Sequence, residues 1–225
     1  MANQPNLLIP VNRLTKTKGR LQTFLSEEER VHLTISTLKT VIEASDKAGF
    51  ITAILTDDRD VISLASGLIV IQEKQELKGL NEQINGALNE MAKDEIVIVH
   101  ADLPLITGQS LIQLKKAALQ TNSIVIAKSF DGGSNAILLK PPKYFSAEYG
   151  PGSCAKHHNS AITAGLSATV IDPPELYLDL DTPRDLQKLL ATEIGRKSPA
   201  GKYLIKIDAI KRLKEANFLD VGQEV

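Results

Sequence analysis

The run Glu95-Ile96-Val97-Ile98-Val99-His100 limits the possible folds more than any other part of the chain. Its four central residues are apolar and β-branched, with no polar alternation, so both faces of the strand they form must be covered. A parallel sheet carrying helices on both faces provides that cover. The rest of the sequence agrees, because short apolar runs alternate with amphipathic stretches. Residues 6–11, 50–55, 68–72, 123–127, 135–139, 168–171 and 176–180 read as strands. Ser26 with Glu29 is a capping box that opens a helix to about Ser45. Leu80, Ile84, Ala87, Leu88 and Met91 recur at helical spacing. Residues 107–120 and 153–164 are further helices, the latter closed by Gly165. Thr182-Pro183-Arg184-Asp185 is another helix start.

This order predicts an α/β fold: a single-domain, open, mostly parallel twisted sheet with helices on both faces. The length of 225 residues suits one such domain. Residues 196–202 read as a linker and 203–218 as a strand and a helix. The expected division is therefore a domain over 1–195 and a C-terminal extension over 196–225.

Composition removes several classes of function. Aromatic residues make up 4% of the chain and tryptophan is absent, which argues against stacking platforms for single-stranded nucleic acid. The net charge of −1 lacks the basic excess of a DNA or RNA binder. The single Cys154 allows no internal disulfide and suggests a reducing cytoplasm. No apolar run reaches the ~20 residues that span a bilayer, and the start has no charged leader region. The expectation is a cytoplasmic enzyme of small molecules, without nucleic-acid or membrane partners.

In open α/β sheets ligands bind outside the carboxyl ends of the strands, and three groups fall there. The first is Pro10-Val11-Asn12-Arg13-Leu14-Thr15-Lys16-Thr17-Lys18-Gly19-Arg20, with four cations and no acid before Glu27. Such a loop can neutralise phosphates; composition alone favours a solvated basic surface loop, and the position at the strand's carboxyl end narrows the difference. It is no Walker P-loop, because GxxxxGK[ST] is absent. The second is Ala101-Asp102-Leu103-Pro104, past the most buried strand, where the carboxylate either holds Mg²⁺ or caps a turn. The third is Asp179-Leu180-Asp181, whose carboxylates share one side of an extended segment. They could complete a metal site with Asp102, or Asp181 could simply precede a capped helix.

Three further patterns are weaker. Gly150-Pro151-Gly152-Ser153-Cys154-Ala155 matches a dinucleotide fingerprint by letter but lies mid-chain, so a helix start suited to a phosphate or carboxylate is the better reading. Cys154, His157 and His158 are too few and too clustered for a zinc site. Asp131-Gly132-Gly133 is a turn or, alternatively, an anion-binding nest.

Taken in order, these segments resemble the 2-phospho-L-lactate guanylyltransferase family of coenzyme F-420 biosynthesis, from Ile9 to about Leu190. The residues that carry the resemblance are Pro10-Val11-Asn12-Arg13-Leu14, Thr17-Lys18-Gly19-Arg20-Leu21, Leu25-Ser26-Glu27-Glu28-Glu29-Arg30 and Ala101-Asp102-Leu103-Pro104-Leu105. Gly132-Gly133-Ser134-Asn135-Ala136, Gly150 with Ser153 and His157, and Leu178-Asp179-Leu180-Asp181-Thr182-Pro183 continue it. Asn12 stands where the family has lysine, Ser134 where it has threonine, and Cys154 where it has phenylalanine.

The resemblance implies a nucleotide-diphospho-sugar transferase-like fold and transfer of a guanylyl group from GTP to 2-phospho-L-lactate, with Mg²⁺ as cofactor. It implies catalytic roles for Lys18, Arg20 and Asp102, and metal binding by Asp102, Asp179 and Asp181. Nucleotide contacts would come from Pro10, Val11, Arg13, Lys16, Thr56, Gly79 and Asn81. Ser134, Asn135, Gly150, Ser153 and His157 would hold the acceptor. A homodimer through the C-terminal extension is a further expectation. The alternatives are a nucleotidyltransferase with another acceptor (phosphoenolpyruvate, 3-phosphoglycerate or a molybdopterin-type phosphate), a glycosyltransferase using Asp179-Leu180-Asp181, and a non-catalytic nucleotide-binding module.

Overall fold

A computed structural model of the chain describes residues 4–216 except 92 and 120. Among these residues seven strands form one sheet: β1 (Leu7–Pro10), β2 (Thr52–Leu55), β3 (Ile69–Ile71), β4 (Ile96–Val99), β5 (Ser123–Lys128), β6 (Ser134–Lys140) and β7 (Ser167–Ile171). Their spatial order is β3-β2-β1-β4-β6-β5-β7. Every neighbouring pair is parallel except β4 with β6 and β5 with β6. The antiparallel strand arises because β5 and β6 are joined by a short hairpin turn, and a parallel pair would need a long crossover.

The helices among the described residues are α1 (Glu27–Lys47), α2 (Arg59–Leu64), α3 (Gly79–Glu90), α4 (Gly108–Lys116), α5 (Ser153–Thr163), α6 (Pro174–Tyr177), α7 (Pro183–Ala191), α8 (Glu193–Lys197), α9 (Pro199–Lys206) and α10 (Ala209–Glu215). The four β-branched residues of β4 are completely buried. Val97 and Val99 pack with Leu38 and Val41 of α1 and Leu111 and Leu114 of α4. Ile96 and Ile98 pack with Ile84 and Leu88 of α3 and Ala161 of α5. The double cover read from the sequence is therefore the actual arrangement, and it sets the carboxyl end of β4 at the middle of the sheet. Ser26 caps α1 and Thr182 caps α7 with the expected capping boxes.

Two expectations are corrected. Residues 176–180 form no strand: they end α6 and continue as an irregular segment. Pro173 and Pro174 start a helical turn there and supply no N–H to a sheet ladder. Leu180 N then donates to Asp102 O at 3.3 Å, which lays the segment against the turn after β4.

Residues 196–202 are likewise helical, within α8 and α9, apart from Ser198 between them, and no strand follows among the described residues; 217 and 218 lie outside these. The expected boundary at 195/196 falls inside α8. Leu204 of α9 and Leu213 of α10 are completely buried with Leu21, Leu33, Leu186 and Leu189. Each such leucine contributes about 1.5–3 kcal/mol. Arg212 of α10 donates through both terminal nitrogens to Glu29 of α1, at 2.6 and 2.9 Å. The backbones approach so closely that a Cβ on Gly195 would lie 1.8 Å from Leu189 O. Gly195→Ala is therefore expected to destabilise the chain by about 3 kcal/mol or more, read as a lower denaturation midpoint. An unchanged midpoint would mean that α8 is not locked to α7. Among the described residues no helix is long and apolar enough to cross a membrane.

Candidate active site

The loop after β1 is built as two 3-10 turns, Leu14–Lys16 and Gly19–Leu21. Buried Leu14 and Leu21 anchor them. Asp57 receives the Arg13 guanidinium, whose hydrogen bonds hold this carboxyl below its ordinary range. Asp58 accepts from Leu14 N at 2.9 Å while it also caps α2. Thr17 Oγ1 meets Thr34 Oγ1 of α1 at 3.0 Å. So restrained, the loop lines a cavity of about 480 Å³ with Pro10, Val11, Lys16, Lys18 and Arg20 on one side and His100, Asp102 and Asp181 on another.

Lys18 joins the two turns in the left-handed region, at φ 50°. Its side chain is 3% exposed. The ammonium donates to Leu180 O at 2.7 Å and lies 3.8 Å from Asp102 Oδ2. This cation is an internal counter-ion to the acids and ties two segments 162 residues apart. Arg20 and Lys16 remain at the open side of the cavity, with Arg20 Nη1 3.8 Å from Asp181 Oδ2.

Asp102, Asp179 and Asp181 each offer a carboxylate oxygen, and these lie within 4.8 Å of one another. Burial first, then the charges of Asp102 and Asp181, push the Asp179 carboxyl up to about 7. Burial and Asp102 also raise Asp181, opposed by Lys18 and Arg20. Asp102 Oδ1 is shut off from solvent and has no hydrogen-bond partner. Three converging carboxylates with an orphaned oxygen fit a hard divalent cation, which prefers oxygen ligands and neutralises their mutual repulsion.

The third group gathers around Ser134. Glu148 N donates to His157 Nε2 at 2.9 Å, so the ring proton sits on Nδ1, 3.0 Å from Ser134 Oγ. Ser153 Oγ also donates to Ser134 Oγ, at 3.3 Å. Ser134 accepts both and keeps its own O–H to donate. His157 has both nitrogens engaged and is 1% exposed, so it acts here by orienting Ser134. The start of α5 is less open to an anion than expected, since Ser153 N and Cys154 N donate to Gly150 O and Gly132 O. Of the readings for Asp131-Gly132-Gly133, the turn is the one present. Asp131 itself accepts from Gly133 N at 3.1 Å and from the Ser129 hydroxyl.

Burial drops the His157 imidazole to about 4. Its ordinary value is 6.5, so between these limits the unfolded chain binds more protons and folding stability rises with pH. The contribution is up to about 3 kcal/mol. His157→Phe is expected to flatten the climb of melting temperature from about pH 4.5 to 6.5 relative to the unsubstituted chain. Parallel curves for the two proteins would contradict this.

The remaining sequence-derived candidates are not among the residues that line this cavity. Thr56 is fully buried and accepts from Asp58 N at 3.1 Å. Asn81 exchanges two hydrogen bonds with the backbone of Tyr149, at 2.8 and 3.2 Å, while its neighbour Leu80 lines the cavity. Gly79, at φ 76°, opens α3. Asn135 donates to Leu176 O at 2.9 Å, and Gly150, at φ 127°, precedes α5. Sequence reasoning did not single out His100, Tyr149 or Thr34. Only the position of His100, next to Ala101-Asp102, could have flagged it.

The family described as Guanylyl transferase CofC like matches residues 5–220. The chain belongs to this family. Within it, the chain is 32% identical over 184 residues to a 2-phospho-L-lactate guanylyltransferase of Methanocaldococcus jannaschii, covering 81% of each protein. It is 35% identical over 188 residues to a phosphoenolpyruvate guanylyltransferase of Sphaerobacter thermophilus, covering 81% of this chain and 90% of that one. The fold is shared with a solved structure from Desulfovibrio desulfuricans G20, named provisionally as a nucleotide-diphospho-sugar transferase. Its TM-score is 0.74 at 19% identity, over 92% of this chain and 96% of that one. The guanylyl transferase match extends through the C-terminal helices, beyond the segments that carry the sequence resemblance.

Proposed function

We propose that the chain transfers the guanylyl group of GTP to 2-phospho-L-lactate, giving lactyl-2-diphospho-5'-guanosine and pyrophosphate, in the cytoplasm. The observation that carries this reading is one cavity lined by the cations Lys16, Lys18 and Arg20 and by two of three converging carboxylates, in a member of the guanylyl transferase family.

An oxygen of the acceptor's phosphate attacks the α-phosphorus of GTP. The bond from that phosphorus to the α–β bridging oxygen breaks, and pyrophosphate leaves with the bond's electron pair. With a second pKa near ~6, the attacking phosphate is largely dianionic at neutral pH and needs no general base. Chemistry of this kind rests on positioning and charge neutralisation. Asp102, Asp179 and Asp181 would hold Mg²⁺, which supplies positive charge between the phosphates when bound. Arg20 and Lys16, exposed at the cavity's open side, offset the charge of the leaving pyrophosphate. Lys18 keeps the acids in place from beneath, and the Ser134 hydroxyl donates to the acceptor.

Phosphoenolpyruvate is the second reading, supported by the 35% identity to the Sphaerobacter enzyme. It has the same phosphate nucleophile beside a carboxylate. Incubating the protein with GTP, Mg²⁺ and each acid, with pyrophosphate measured, separates the two. Faster turnover with 2-phospho-L-lactate supports the first reading, and turnover with phosphoenolpyruvate alone replaces it with the second.

A further inference from the structure

Besides Asp102 Oδ1, the buried atoms His100 Nε2 and the Tyr149 hydroxyl have no hydrogen-bond partner among the described residues. The rings touch, with centroids 4.8 Å apart and planes tilted by 45°. His100 directly follows β4, two residues before Asp102, and lines the cavity. Tyr149 precedes Gly150 and packs edge-on against His157, 4.8 Å between centroids, and His157 is the ring that orients Ser134. The pair therefore joins the cavity with its acids to the buried cluster of Ser134, Ser153 and His157. An acid whose phosphate reaches Asp102 and whose other oxygens reach Ser134 must pass this pair.

Leaving a buried donor or acceptor unpaired is costly, and native structures seldom do so without a reason. Here the backbones on both sides are fixed. Asn81 clamps Tyr149 through both its N–H and C=O, and His100 N donates to Asn135 O at 3.0 Å. Burial keeps the phenol protonated, so it remains a donor.

We infer that His100 and Tyr149 recognise the acceptor acid, donating from the phenol O–H and from the Nε2–H tautomer of the imidazole to its anionic oxygens. They are specificity-determining residues of the acceptor half-site, which Asp102 and Ser134 bound on either side. This rests on the proposed transfer to a phosphorylated three-carbon acid.

Tyr149→Phe keeps its ring and His100→Phe puts another aromatic ring in place of the imidazole, and both remove the hydrogen-bonding atoms. For each, KM for the acid is expected to rise about tenfold or more, the loss of a hydrogen bond to a charged group. KM for GTP should stay within about twofold, and the melting temperature of the ligand-free Tyr149→Phe protein should hold or rise, because an unpaired hydroxyl is removed. An unchanged acid KM in both variants overturns the inference, as does a rise in the KM for GTP alone. A fall in melting temperature with unchanged kinetics assigns the pair a structural role and also overturns it. If the unsubstituted chain neither binds 2-phospho-L-lactate or phosphoenolpyruvate calorimetrically nor releases pyrophosphate with them, the proposed function fails, and the inference falls with it. Failure of the inference alone leaves the turnover of the unsubstituted chain intact.

Discussion

Asp102→Asn is expected to cut turnover by about a thousandfold or more and to leave the fold intact. Asp102 follows the completely buried strand β4, so its position is set by the core. Its two oxygens serve different ends: Oδ2 faces the Lys18 ammonium at 3.8 Å and Oδ1 is buried without a partner. The amide is nearly the same size but removes a negative charge from the trio. In the ligand-free protein this relieves Asp179 and Asp181, both of which Asp102 pushes upward. The melting temperature without metal should therefore stay level or rise. Stabilisation by added Mg²⁺, which the unsubstituted chain should show more strongly at about pH 8 than at pH 5 because protons compete for the same carboxylates, should vanish in the variant. Melting curves with and without Mg²⁺, together with pyrophosphate release, check both halves. Near-normal turnover in Asp102→Asn would refute the metal assignment.

Lys18→Met is expected to lose both activity and stability. The side chain is 3% exposed, so methionine can fill its space. It cannot donate to Leu180 O, which loses its 2.7 Å partner. The unpaired carbonyl should cost about 1–3 kcal/mol. The segment bearing Asp179 and Asp181 also loses its tie to the loop after β1, and turnover should fall by about a hundredfold. Lys18→Arg should not restore it, because a planar guanidinium does not fit the slot of a compact ammonium. Full rescue by arginine would show that Lys18 acts only as a charge in the cavity. Denaturation midpoints and steady-state kinetics on the two variants decide the matter.

The parts of the molecule that local physics controls were readable from the residues. The β-branched run of β4 demanded cover on both faces, and the capping boxes at Ser26 and Thr182 start their helices where the side chains predict. The acid trio was readable in outline, because Asp102 closely follows a buried strand and Asp179 and Asp181 share one side of an extended segment. What escaped depends on long-range contact. The apolar pattern over 176–180 resembles a strand, yet two prolines and the hydrogen bond from Leu180 N to Asp102 O make it a helical turn and an irregular run. The polar stretch over 196–202 resembles a linker until glycines 195 and 201 let the backbones meet. Lys18 reads as a phosphate-facing cation, since nothing near it in sequence discloses that its partner is the carbonyl of Leu180. Tyr149 carried no signal at all, because its contacts with Asn81, His100 and His157 all come from folding.

The central claim is that an acceptor phosphate attacks the α-phosphorus of GTP in the cavity between the cationic loop and the three acids. The most direct test uses 2-phospho-L-lactate with its phosphate oxygens labelled with oxygen-18, supplied with GTP and Mg²⁺, and mass spectrometry of both products. The account predicts one pyrophosphate per guanosine-diphospho-acid formed, all label in the diphosphate-linked product and none in the pyrophosphate. Label in the released pyrophosphate, or GTP cleaved to unlabelled products at the same rate without the acid, would contradict it.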